Sequence, residues 1–243
     1  MSQGTTARQS ALIAYPKQAA FGRVLPKNKI YEYSGASKRL KDLFVEQVEQ
    51  IVWQYKLAPE TLNLPARPGV PEIQIFGILL KKAELHEDVL RCIDGAIPFP
   101  ILFELTYESR VRVIAAYKRP ALASGEADAA RWVSSNYFAT DWLSAGSERA
   151  TMPVALHMGG LYEQFLHRLI PLYARPQESL ADLVVRVEQV QTKQRELAKI
   201  TARLAKEKQF NRKVEINAEL RKLKTELDEL KITEDGLEEL KQK

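Results

Sequence analysis

No proline follows Pro176 in this 243-residue chain, and the one glycine beyond it is Gly236. A stretch so free of helix breakers can run as continuous helix. Its apolar residues agree. Leu183, Val187, Val190, Leu197 and Leu204 recur at steps of four, three, seven and seven, with Gln194 and Thr201 in the polar gaps. Ile216, Leu220, Leu223, Leu227 and Leu230 recur at steps of four, three, four and three. Both are heptad seams, which bury apolar side chains against another helix. They are out of phase: sevens counted on from Leu204 reach Asn211 and Ala218, not Leu220. The break lies in KEKQFNRK, 206–213. A reversal there makes an antiparallel hairpin, and a stutter makes one long helix. The similar lengths of the seams favour the hairpin, although no glycine or proline marks a turn.

The residues before this arm read as a mixed domain. Residues 1–36 look irregular, with one short helical turn after Pro16. Ser37 is a helix cap, and Leu40, Phe44, Val48, Ile51 and Tyr55 follow at steps of three and four, which predicts a helix over 37–56. LPARPGVP holds three prolines and a glycine, so it is a loop. EIQIFGILLK (72–81) is apolar on both faces and reads as a central strand. A helix follows near 83–94, with Leu85, Val89 and Cys92 on one face, so Cys92 reads as a core residue and not a nucleophile. ILFELTY (101–107) and VRVIAAYK (111–118) form a hairpin. A three-residue turn pairs Tyr107 with Val111 and Leu105 with Val113, keeping one face apolar; a two-residue turn sets Leu105 opposite Arg112. Register follows the buried face, so the three-residue turn is expected. A loop or short helix over 119–131 then leads to an edge strand at 132–143 and a helix at 154–171. The expected fold is α+β: a mixed β-sheet packed with helices, then a C-terminal coiled-coil hairpin. The expected divisions are a basic N-terminal arm (1–36), a globular domain (37–177) and a coiled-coil arm (178–243).

Composition limits the class. Apolar residues are 45% of the chain, enough for a core, and a single cysteine precludes an intrachain disulfide. No apolar run of about 18 residues exists to span a membrane. The N-terminus lacks the apolar core of a secretory signal, so a soluble, cytoplasmic protein is expected.

Charge is uneven. Residues 1–41 carry eight basic side chains and one acid, Glu32, with Tyr15, Phe21, Tyr31 and Tyr33 among them. Cations interleaved with aromatics suit phosphates beside stackable bases. Arg23, Lys27, Lys29, Lys38 and Arg39 are the candidate nucleic-acid contacts; a solvated arm that binds nothing is the plain alternative. Residues 178–243 are nearly neutral, with fifteen basic and fourteen acidic side chains, which suits a protein partner better than DNA. Phe210 and Arg212, near the expected tip, are candidate partner anchors.

No catalytic signature stands out. The chain has no GxxxxGK[ST], GxGxxG or GxSxG pattern. His86, His157 and His167 sit at no metal-ligand spacing, and Glu163–His167 reads as an ordinary helix-surface pair. Neither a metal nor a cofactor is expected. Glu46, Glu49, Glu72, Glu104 and Lys118 loosely resemble the acids and lysine of restriction-type nucleases. Ala116, however, stands where such sites carry a carboxylate. In the expected register Lys118 is also roughly 13 Å along the strand from Glu104. An ion pair between Glu104 and Arg112 is the simpler expectation.

Several stretches carry a resemblance along nearly the whole chain: LPKNKIYE (25–32), QIVWQYKLAPETLNLP (50–65), EIQIFGILLK, IPFPILFEL (97–105) and KEKQFNRKVEINAELRKLKTEL (206–227). They resemble a bacterial and archaeal family described as a domain of unknown function. The resemblance implies a context and no catalytic residue: genes beside helicases and DNA methyltransferases in restriction-like defence loci. The expected function is therefore a non-catalytic accessory subunit of an antiphage defence or restriction-modification-like complex. It would bind DNA, a helicase or a methyltransferase. A divergent metal-dependent nuclease and a homo-oligomerising structural protein are the alternatives.

Overall fold

The computed structural model describes residues 10–121 and 132–231. The chain divides into two units, Met1–Leu169 and Ile170–Lys243.

In the first unit, β1 (Ile13–Ala14) leads through a 3-10 turn at Lys17–Ala19 into β2 (Ala20–Val24) and α1 (Lys27–Ser34). The stretch expected to be irregular is therefore largely ordered, and β2 is an edge strand of the main sheet. Arg8 lies outside the described residues. Then come α2 (Lys38–Gln47), β3 (Val48–Leu57), α3 (Pro59–Leu62), β4 (Ile73–Leu80), α4 (Glu87–Ala96), β5 (Ile101–Tyr107) and β6 (Arg110–Pro120). After the undescribed segment follow β7 (Trp132–Ala139), β8 (Leu143–Ser144), β9 (Ala150–Thr151) and α5 (Met158–Leu169).

The main sheet runs β2-β3-β4-β5-β6-β7, with β8 added to β6. It is mixed: β4 and β5 are parallel, with α4 between them in sequence, and the other neighbours are antiparallel. β4 is interior and β7 an edge, as the patterns of those segments predict. Phe76, Ile78, Phe103, Leu105 and Ile114 share one core cluster with Phe44 of α2 and Val89, Cys92 and Ile93 of α4. Cys92 is thus a core residue. Alternation sends Glu104 and Val113 to the opposite face.

Four expectations change. The helix over 37–56 is half helix. Ser37 Oγ does cap it, accepting from the Leu40 amide at 3.3 Å, but α2 ends at Gln47 and a strand begins at once. VEQIVWQYKL is rich in β-branched and aromatic residues, which favour strands. Register shifts between Val48 and Gln50 and between Trp53 and Tyr55 break the strict alternation and imitate helical steps. The β5–β6 hairpin turns in two residues, pairing Tyr107 with Arg110 and Leu105 with Arg112. Both faces of this sheet are covered, so face matching does not select the register. The turn does, with Glu108 at φ 50°. The helix expected over 154–171 starts only at Met158, where His157 Nδ1 accepts the Gly160 amide at 2.9 Å; Val154 and Leu156 are exposed. The segment expected over 119–131 begins as the end of β6, and its residues 122–131 lie outside the described residues.

The second unit is a hairpin of α6 (Leu180–Lys206) and α7 (Phe210–Lys231). Ile200, Ile216, Leu220 and Leu223 form its core, with Leu197 and Leu204 against them. The turn needs no glycine because Glu207 organises it. Its carboxylate accepts the amides of Lys208 and Gln209 at 2.8 and 2.9 Å, which holds its pKa below the ordinary value.

Candidate nucleic-acid interface

The helix α1 sits between two conformational stops. Pro26 precedes it, and Gly35 ends it at φ 62°, its amide bonded to Tyr31 O at 3.0 Å. Its Ile30 is buried in the core, while Lys29 and Tyr33 border a cavity of about 280 Å³. Trp53 and Phe76 of the sheet line that cavity, with Leu25, Gln74 and the Ala96–Phe99 segment after α4. Its surface is almost wholly apolar. Trp53 is fixed on both sides: Phe21 lies 4.1 Å from it centroid to centroid, and Phe76 stacks at 6.0 Å and 17°.

Gln74 is the polar exception. It is 1% exposed. Its Nε2 donates to Glu72 Oε1, and Glu72 is also paired with Lys56 at 3.0 Å. That carboxylate sets the orientation of the amide. Gln74 Oε1 is then left as a buried acceptor with no partner among the described residues. Such an atom costs stability, about 1–3 kcal/mol for a neutral group.

The candidate cations fall into three settings. Arg23, exposed on β2, pairs across the ladder with Trp53. Lys29 is exposed at the cavity rim and bonds Glu32 at 3.0 Å, a surface pair of little strength. The structure thus brings Arg23 and Lys29 to one aromatic neighbourhood. Lys38 and Arg39 are exposed in the first turn of α2 and do not line the cavity. Lys27 is engaged elsewhere. Its Nζ donates to Phe44 O at 3.2 Å and to Val48 O, and burial, then repulsion from Lys81, lowers its pKa. Arg23, Lys38 and Arg39 make no ion pair among the described residues.

Two buried charge networks lie elsewhere in this unit. The expected Glu104–Arg112 pair does not form. Glu104 accepts a two-pronged bond from Arg149 at 2.8 and 2.7 Å, and Arg112 donates to Thr140 O at 2.8 Å. With the two-residue turn, Glu104 stands opposite Val113, and Arg112 points to the other face. Lys118 is sealed against the C-terminus of α4, where its Nζ donates to Asp94 O and Ile97 O and lies 3.5 Å from the Asp94 carboxylate. Tyr137 OH donates to that carboxylate. Burial raises the Asp94 pKa and lowers that of Lys118, outweighing their mutual attraction. A cavity of about 510 Å³ touches this network and Trp132, but Lys118 and Asp94 are 2% and 5% exposed, and their bonds close a helix end.

His86 caps α4 through Nδ1, and Glu163 and His167 are exposed on α5. Among the described residues no three His, Cys, Asp or Glu side chains group to hold a metal, and no helix is long and apolar enough to cross a membrane. Phe210 is 78% exposed at the start of α7, and Arg212 is exposed beside it in sequence.

The sequence reading missed Gln74. Its signal was a lone amide inside the apolar run IQIFGILL. No curated protein and no solved structure matches the chain. A family model matches it over residues 13–227, and the chain therefore belongs to the family described as "Domain of unknown function (DUF4391)".

Proposed function

We infer that this chain is a non-catalytic, nucleic-acid-binding accessory subunit that works with a helicase or DNA methyltransferase in a restriction-like defence complex. One observation carries the reading: exposed Lys29 borders an aromatic cavity, and exposed Arg23 stands opposite that cavity's Trp53 on the next strand, in the unit whose N-terminal segment holds the excess of cations. Exposed cations supply the sequence-independent part of phosphate binding, and aromatic surfaces supply the stacking. Lys38 and Arg39 extend the cationic set. The near-neutral hairpin, with Phe210 and Arg212 near its turn, is the surface assigned to the protein partner.

The nuclease alternative draws no support from the geometry. Glu104 and Lys118 lie on opposite faces of the sheet, each held by other groups.

The test is binding of the purified chain to single- and double-stranded oligonucleotides across a salt series. Affinity that falls steeply with salt supports the reading, and no binding at low salt overturns it. For the partner, deleting 178–243 should abolish co-purification with the helicase or methyltransferase; full recovery with the truncated chain removes the hairpin from that role.

A further inference from the structure

We propose that the cavity between α1 and the sheet receives one unstacked base of a single-stranded nucleic acid, the base donating an N–H to Gln74 Oε1. The inference rests on the nucleic-acid reading above and specifies how the strand is held.

Four features converge on this occupant. At about 280 Å³ the cavity is at the lower edge of small-molecule sites, so it suits one ring system and not a whole nucleotide. Its walls are aromatic, from Tyr33, Trp53, Phe76 and Phe99, and ring faces stack bases of any sequence. Gln74 presents an unpartnered acceptor, Oε1, while its amide nitrogen is turned to Glu72. Every nucleobase carries an N–H donor on its ring or its amino group. Lys29 at the rim places a cation where the phosphate joined to an inserted base would lie.

The same features disfavour other occupants. An aliphatic side chain of a protein partner would leave Gln74 Oε1 unbonded and buried, at the usual cost of an orphaned acceptor. A ligand cation would meet Lys29. A base inside a duplex is stacked and cannot enter without being extruded, so a single strand is the preferred form.

The experiment uses the full chain and two oligonucleotides of about a dozen nucleotides, within the usual site sizes. One is oligodeoxyadenylate, and the other has the same sugar–phosphate backbone without bases. Stacking is worth about 1–3 kcal/mol per base, so the base-bearing strand should bind roughly 5- to 150-fold more tightly. Gln74→Leu, which puts an apolar side chain of similar size at this buried position, removes the hydrogen bond but not the stacking, so it should narrow that gap severalfold and leave the abasic affinity unchanged. Tyr33→Ala is the second variant. Tyr33 is 77% exposed, so its loss does not threaten the fold, and it should narrow the same gap. Equal affinity for both strands overturns the base pocket and leaves salt-dependent phosphate binding standing. A gap that survives both variants places the stacking elsewhere and also overturns it. No binding of either strand defeats this inference together with the reading beneath it.

Discussion

The two units carry cations in different ways. In the hairpin three of them hold the fold together. Arg186, 5% exposed, bonds Glu178 through Nε and Nη2 and donates to Leu230 O and Tyr173 O. Lys193 pairs with Glu226 and Arg203 with Glu219 across the two helices. In the first unit Arg23, Lys38 and Arg39 make no ion pair among the described residues. Residues 178–243 hold more basic side chains than residues 1–41, yet those whose ion pairs are described are used to hold the hairpin. The number of cations says little about a partner; what each one holds in the fold says more.

This contrast can be broken by substitution. The largest effect is expected from Arg186→Met, which leaves the Glu178 carboxylate without its partner. Removing one member of a buried pair costs about 3–5 kcal/mol, read by chemical denaturation. Nucleic-acid affinity should not change, and a parallel loss of binding would erase the contrast. Next comes the combined replacement of Arg23, Lys29, Lys38 and Arg39 by glutamine. Single-strand affinity should fall about a hundredfold at low salt, and the slope of log affinity against log salt by about three. The thermal midpoint should barely fall, because these cations make a single weak surface pair, Lys29–Glu32, in the fold. A drop in stability equal to that of a core variant would contradict this.

Acid should act on the hairpin. The Arg186 bond holds the Glu178 carboxyl below its ordinary value of 4.5. A lowered carboxyl stabilises the folded state above its unfolded value and loses that contribution as pH falls through the folded value. Hairpin stability should therefore be flat from neutral pH to about 5 and decline below 4.5. Glu178→Gln should flatten that acid limb in a pH series of unfolding curves. The smallest effect is expected from Lys193→Gln. That pair is half-buried at the edge of the helix contact, and the thermal midpoint should move little.

The hairpin was legible because one period governs it and each seam must find another helix. The sheet was less so, for two physical reasons. In β3, irregular pairing displaces the alternation, and Val48 and Ile51 are both buried three steps apart as they would be on a helix. In β5 and β6 both faces are covered, so the apolar pattern fits either register. The candidate site was half visible. The basic-aromatic mixture around Lys29 and Tyr33 is a sequence feature. The cavity depends on Trp53, Gln74 and Phe99, which come from three separate segments and meet only through strand pairing and the crossover through α4. The commitment of Lys27 to two carbonyls also depends on a fold that brings residues 44 and 48 beside it.

That lysine has a consequence for which changes of length the family can accept. α2 passes into β3 with no residue between them, and Lys27 clasps the carbonyls of Phe44 and Val48 on either side of the joint. One inserted residue would turn α2 by about 100° relative to the strand and swing Phe44 out of the core. One deletion would turn it the other way. With no slack to absorb either, the segment from Ser37 to Leu57 should keep a constant length among members of the family. Insertions and deletions should gather instead in the proline-rich connection before β4.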